Sequence, residues 1–304
     1  MNQQIMEKKI ILAGLTTSLM ICLAWTCTAQ TAVRASYLFY YKQDSTRTGY
    51  HLAPDMTLDF DGSKAAFYSE TEFTKDSLSL SAFDKDGNTV DNKAENALYD
   101  LSGKGFEDWI CFSDYTTDDV QLHYDLVFTH LVGKAKLPAP EWILQDGQKE
   151  ILGYLCKQAR THYLGRTWFV WYTEEIPVSA GPWLLRGLPG LILAAEDSNR
   201  YFLFKLQWIE PGIQSRYASY LHIQEVLRAR KKGKYPFPDS YPLPQANRMA
   251  AKSRMSGSYR DQILGTKMFS IPGYTILPNG QKKMITTEHP YIPLIPESFG
   301  KNIR

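Results

Sequence analysis

Cys156 and His162 could supply a thiol nucleophile and its base. Both fall within YLCKQARTHY, 154–163, which reads as one strand. Six residues of strand span about 20 Å at ~3.3 Å each. The two side chains share a face but cannot touch, so Cys156 reads as structural. His123 and His130 could ligate a metal. Read within one strand, they stand an odd number apart and point to opposite faces. Asp118, Asp119 and His123 could gather at a strand start, where a solvated turn accounts for them equally well. Glu174 and Glu175 are adjacent on extended chain, so they diverge and do not form the paired carboxylates that glycosidases use. Gly257, in Ser-Gly-Ser, lacks the Gly-x-Ser-x-Gly frame of a nucleophile elbow. Phosphate-cradling glycine loops and Cys-x-x-Cys pairs are absent from the sequence. The expectation is no catalytic residue, no cofactor and no metal.

Strands must position whatever site exists. In VQLHYDLVFTHLV, 120–132, apolar residues alternate with polar ones, which predicts one strand with a wet face. MTLDF, 56–60, and LSLSAF, 78–83, alternate likewise, and SYLFYY, 36–41, is an aromatic strand candidate. Two hairpins follow: 154–163 with 167–173 across Leu164-Gly165-Arg166, and 191–196 with 201–210 across Asp197–Arg200. Helical periodicity arrives late, at 217–232 and 245–264, around a proline-rich linker at 235–244. The fold class is mostly β: an antiparallel meander forming a curved sheet or half-open barrel, with a late helical insertion at about 217–264.

The N-terminus reads as a targeting segment. Lys8 and Lys9 precede the apolar run 10–24, and WTCTAQ follows, as in a secretory signal. The run is shorter than the ~20 residues a membrane span needs. Cleavage after Ala29 leaves Gln30 first and 30–304 as a single β-rich domain. A lipoprotein reading would use Cys22 or Cys27, but Ile21 and Thr26 precede them instead of a small residue. Removing both leaves Cys111 and Cys156, which form either one disulfide or two separate buried thiols. No other run is long and apolar enough to cross a membrane.

Aromatic residues make up 13% of the chain, an excess suited to broad pleated surfaces. Net charge is only +2, but it is unevenly spread. Residues 84–119 carry ten acidic and three basic side chains; residues 216–267 carry eleven basic and three acidic ones. The basic block reads either as peripheral contact with an anionic membrane surface or as a solvated helix face near the acidic lobe. Nucleic acid is not an expected partner, because the chain reads as exported.

The stretch GPWLLRGLPGLILAAED, 181–197, interrupts the strand pattern. Leu188-Pro189-Gly190-Leu191 fits a type II turn, with Gly190 accepting positive φ. Gly187 would permit close approach of a neighbour. Ile176, Gly181 and Leu188 each precede proline and are pushed to extended backbone. Residues 174–190 thus form a rigid excursion, with Leu184, Leu185, Leu188 and Leu191 plugging the sheet beneath it.

This segment resembles the GLPGLI family of exported bacterial proteins. The resemblance covers about 151–210. It is carried by Gly153, Tyr154 and Cys156, by Trp171, Tyr172, Thr173, Ile176 and Pro177, by Gly181 and Pro182, and by Gly187, Leu188, Pro189, Gly190, Leu191 and Ile192. It implies a periplasmic or surface-facing location and no particular activity. Where the family has an Asn-Pro-Ile-Glu-like tail, this chain has YIPLIPE, 291–297. Two functions fit these readings. One is a non-enzymatic envelope protein presenting an apolar, aromatic concave sheet face to an amphipathic ligand or an envelope protein. The other is an exported hydrolase whose site is assembled from residues distant in sequence.

Overall fold

The computed structural model describes residues 32–42, 49–102, 104–106, 109–126, 129–234 and 237–255, with short pieces at 274–276, 282–284 and 294–295. The signal segment 1–29, Cys22, Cys27 and residues 256–264 lie outside the described residues. The strands are β1 Val33–Tyr41, β2 His51–Phe60, β3 Lys64–Ser69, β4 Ile110–Asp114, β5 Asp119–Leu126, β6 Thr129–Lys136, β7 Ile143–Ile151, β8 Tyr154–Tyr163, β9 Arg166–Thr173, β10 Leu191–Asp197, β11 Phe202–Pro211 and β12 Tyr241–Pro242. Helices are α1 Glu70–Ala82, α2 Asn92–Asp100, α3 Tyr217–Lys234 and α4 Leu243–Met255. Strands β13 Tyr274–Ile276 and β14 Lys282–Met284 form a separate antiparallel pair.

The fold is mostly β, in one large open curved sheet. Its order is β12-β6-β5-β4-β3-β2-β1-β11-β10-β9-β8-β7. Two meanders, β1 to β6 and β7 to β11, join where β1 pairs antiparallel with β11. Hairpin β8–β9 has the expected place, with Tyr163 opposite Arg166. Hairpin β10–β11 does too, with Ala195 opposite Phe204. On β9, Trp168, Val170 and Tyr172 point inward while Thr167, Phe169 and Trp171 are half-exposed, the period-two pattern of a sheet with one packed face. The inner face is filled. Phe39 stacks on Phe204 at 4.4 Å between ring centres, and Phe67, Phe106, Trp109 and Trp168 pack around them. The concave aromatic surface expected to hold a ligand is therefore the hydrophobic core.

Several sequence expectations change. LSLSAF, 78–83, is no strand: it is largely the last turns of α1. The Ser69 hydroxyl accepts the Glu72 N–H at the helix start, Glu70 and Glu72 place acid in the first turn, and Ser77 and Ser81 donate back to the carbonyls four residues earlier. Residues 120–132 are two strands, β5 and β6, with Leu126 opposite Thr129. The second late helix spans 243–255, and within the proline-rich linker Tyr241-Pro242 joins the sheet edge beside β6. Pro242 tolerates that place because an edge strand can lack an N–H. Cys111 and Cys156 are free, buried thiols on β4 and β8, with β3, β2, β1, β11, β10 and β9 between them in the sheet order. The two-thiol reading holds and the disulfide does not.

The 174–190 excursion closes one end of the sheet, as its leucines implied: Leu184, Leu185, Leu188 and Leu191 are all buried. Arg186 crosses to the far meander, donating to Asp118 at 2.5 Å and to the Leu137 carbonyl at 2.9 Å. The two glycines exchange their expected roles. Gly187 takes positive φ, +95°, whereas Gly190 does not. Gly190 lies so close to β9 that a Cβ there would stand 1.9 Å from the Thr173 carbonyl oxygen. Proximity to a backbone, not a type II turn, demands glycine at 190.

Candidate functional site

The residues carrying the GLPGLI resemblance assemble into packing. Gly153 follows Leu152 in a two-residue turn with both φ positive, 84° and 53°, the conformation a tight hairpin requires. Thr173 donates its hydroxyl to the Leu155 carbonyl at 2.9 Å, next to Tyr154 and Cys156 on β8. Leu191 N–H bonds Ile176, and Ile192 N–H bonds Ala180, at 3.0 Å each. Gly181 lies directly against Ile192. Tyr172 and Leu188 are buried in the main core and Trp171 packs against it, while Pro177, Pro182 and Pro189 belong to the 174–190 excursion. An apolar cleft of about 320 Å³ lies beside it, lined by Val33, Tyr154, Ile176, Pro177, Ile209 and others, with Glu175 as its one charged side chain among the described residues.

Titratable groups converge elsewhere, in a cleft of about 410 Å³ between α1, α3 and the β5–β6 hairpin. Three elements build it. The cap at Ser69 orients α1, so that Glu72, Lys75, Asp76 and Ser79 share one helical face. Helix α3 is fastened to the outer side of the sheet at its start. Arg216 N–H donates to the buried Asp59 carboxylate at 3.1 Å and its guanidinium to Glu70 at 2.5 Å. Tyr68, Phe112 and Tyr220 form a small second core under α1 and α3. From there α3 presents Gln224, Leu227 and Lys231 to the cleft. The hairpin contributes His123, Asp125 and His130, with Asp125 opposite His130 in register.

Within the cleft most charges are already paired. Lys75 donates to Glu72 at 2.7 Å and to the Lys104 carbonyl at 2.5 Å. Lys231 pairs with Asp125 and donates to the Leu126 carbonyl at 3.0 Å. Asp76 accepts from Tyr220 Oη at 2.9 Å and Gln224 Nε2 at 2.5 Å, both on Oδ2. Burial, with some help from nearby Asp125, pushes the Asp76 carboxyl up to about 7, against the lowering effect of its two donors.

The two histidines that one-strand reasoning sent to opposite faces meet here. His123 Nδ1 and His130 Nε2 are 3.2 Å apart, and both rings are buried. The hairpin explains the contact: an odd spacing along one strand becomes a cross-strand diagonal once the chain turns. Burial holds both rings neutral. It pushes His130 down to about 3, with Lys231 and Arg228 adding to the effect, and His123 is also held well below its usual range. His123 Nε2 is buried without a hydrogen-bond partner among the described residues. No cluster of three metal-ligating side chains occurs among the described residues. Asp118 and Asp119 are not part of this cleft: Asp118 pairs with Arg186, and Asp119 with Lys136. Glu174 and Glu175 diverge as expected, one bonding Lys157 and the other the Leu155 N–H. His162 bonds Thr167, away from Cys156.

The basic face of α3 lies against acid. Arg216 pairs with Glu70, Lys231 with Asp125, and Arg228 and Lys232 with Asp239. No described helix is long and apolar enough to cross a membrane, which says nothing of β-barrels.

A family model described as "N-glycanase peptide, N-terminal domain" matches residues 128–206, about a quarter of the chain. Two crystal structures of PNGF-II, in different space groups, are similar at 15% and 14% identity, each with a TM-score of 0.41. They cover 62% and 66% of this chain and 30% and 33% of their own. The chain thus spans about a third of the length of those proteins. Comparison with curated proteins returns no match.

Proposed function

We propose that this chain is an exported GLPGLI-type envelope domain whose role is binding, and that its polar cleft takes an uncharged, hydroxyl- and amide-rich ligand such as a glycan segment. The observation that carries this is the state of the cleft walls. Their ionised groups are paired with one another, both histidines are neutral, and His123 Nε2 has no partner. A charged ligand would have to break ion pairs. A neutral one needs only to offer hydrogen bonds, and satisfying a buried polar atom adds affinity. The matched family model, named for an N-glycanase, supports a glycan as the ligand class. The reading is tested by calorimetric titration of the chain from Gln30 onward with neutral oligosaccharides and N-glycopeptides. Binding should weaken at least ten-fold in His123→Phe and in Lys231→Met. Unchanged affinity in both variants, or preference for anionic vesicles over glycans, would refute it.

A second reading, hydrolysis, is favoured by Asp76 alone. A carboxyl that holds its proton to about pH 7 beside a second carboxylate is the kind of group that acts as a general acid. Release of glycan from a glycopeptide, lost in Asp76→Asn, would favour this reading over pure binding.

A further inference from the structure

A segment far along the chain, Leu294 and Ile295, also packs onto the curved sheet. Both side chains are buried in the main hydrophobic core. Two buried side chains hold their backbone. Arg166, at the start of β9, donates Nε to the Leu294 carbonyl at 2.8 Å. Asn247, on α4, donates Nδ2 to the Ile295 carbonyl at 2.8 Å. Arg166 belongs to the second meander, whereas α4 packs on β5 and β6 of the first. The dipeptide therefore bridges the two halves of the sheet.

Both donors are themselves oriented. Asp197 fixes Arg166 through Nη1 at 3.1 Å, and the Arg166 guanidinium lies 4.6 Å over the Phe202 ring. The other oxygen of Asp197 accepts the N–H groups of Tyr201 and Phe202 at 2.7 and 2.8 Å, so the β10–β11 turn locks the carboxylate. Tyr124 Oη donates to Asn247 Oδ1 at 3.5 Å, which leaves the amide nitrogen aimed at the peptide. A donor fixed to each of two successive carbonyls, with apolar space for each side chain, is how a protein reads a short peptide segment. The sequence around the dipeptide suits such a site. Leu294 and Ile295 form a bend, and in the sequence they lie between Pro293 and Pro296, neither of which has an N–H to satisfy.

We infer that Arg166, Asp197 and Asn247 form a peptide-docking groove for a Leu-Ile segment, filled in this chain by its own residues 294–295. The groove is a binding site distinct from the polar cleft, and its occupant is an intramolecular ligand that competes with any free peptide of the same chemistry.

The test uses the full chain from Gln30 carrying Leu294→Asp and Ile295→Asp, and a fluorescent peptide with the sequence of residues 290–297. The peptide should bind the double variant and raise its melting temperature, and it should bind the wild type at least ten-fold more weakly, because the groove there is occupied. A peptide carrying the same two aspartates should do neither. If the double variant is unfolded on its own, the unmodified peptide should restore a cooperative melt. Equal affinity for wild type and variant, or no binding and no rise in melting temperature with the variant, would overturn the inference.

Discussion

Gly190→Ala tests the account of the excursion most directly. A Cβ at this position would stand 1.9 Å from the Thr173 carbonyl oxygen, 2.6 Å from its carbonyl carbon and 3.1 Å from Glu174 Cα. Comfortable contact needs roughly 3.5 Å, so the excursion and β9 must part by well over an ångström. Both obstructing groups are backbone, and neither can rotate away. The displacement falls on a joint held by Leu191 N–H to the Ile176 carbonyl at 3.0 Å and by the Thr173 hydroxyl to the Leu155 carbonyl at 2.9 Å. Overpacking costs about 1–3 kcal/mol, and distorting one or two buried hydrogen bonds adds about 1 kcal/mol each. The expected loss is about 3–5 kcal/mol, a large share of the ~5–15 kcal/mol that stabilises a folded domain. At ~2–4 °C per kcal/mol for a large domain, the melting temperature should fall by roughly 10 °C, read by circular dichroism with a urea titration beside it. Pro189→Ala is the control, since it frees only unfolded-state backbone and should cost ~0.4–1 kcal/mol. If Gly190→Ala melts within 2 °C of wild type, or no lower than Pro189→Ala, the close approach is wrong.

Three further outcomes follow from burial and charge. The folded-state pKa of His130 lies at about 3, below its unfolded value. The unfolded chain therefore takes up the proton first, and stability should fall as pH drops from about 6.5 toward 3, by about 2–3 kcal/mol at pH 4.5; urea midpoints for wild type and His130→Gln should show a shallower slope in the variant. Asp76 has the opposite sign. Its folded-state pKa is raised to about 7, so stability is lost as pH rises from about 4 to 7, and Asp76→Asn, whose amide oxygen can still accept from Tyr220 and Gln224, should gain on wild type by about 2–4 kcal/mol at pH 8 and by nothing at pH 4. In the chain from Gln30, Cys111 and Cys156 should both titrate with a thiol reagent after unfolding without reductant, and neither should react quickly while folded; a single mass shift of a disulfide on reduction would contradict this.

The sheet was largely legible and two of its helices were not. Hairpins β8–β9 and β10–β11 announce themselves because their turns carry glycine, asparagine or aspartate between alternating runs. Helix α1 hid behind an alternation of serine and leucine that satisfies period two as well as a helix face. Its signal was present in Ser69-Glu70-Thr71-Glu72, a serine three residues before a glutamate, which is the pattern of a helix start. The Asp91 cap of α2, accepting the N–H groups of Lys93 and Ala94, was a second such mark. The break between β5 and β6 carries no comparable mark, since Val127-Phe128 reads as uninterrupted strand. Losing that break also separated His123 from His130.

The polar cleft was illegible for a deeper reason. Its walls come from 72–130 and from 224–231, and these meet only because β1 pairs with β11, which places α3 back across the outer side of β3 and β4. No periodicity within either segment reports a pairing across so long a separation. The contrast with the motif segment is instructive. Residues 151–210 hold the family resemblance and most of the span matched to the N-glycanase N-terminal model, yet they make a joint of backbone contacts, prolines and leucines. Of the groups facing the cleft, only His130 falls inside the matched span. A recognisable sequence signature here marks what the sheet needs in order to close. The side chains available for chemistry sit on α1, α3 and the β5–β6 hairpin, so proteins sharing the closure are free to differ in the cleft, and ligand specificity should follow substitutions at Asp76, His123 and Gln224, not at Pro189 or Gly190.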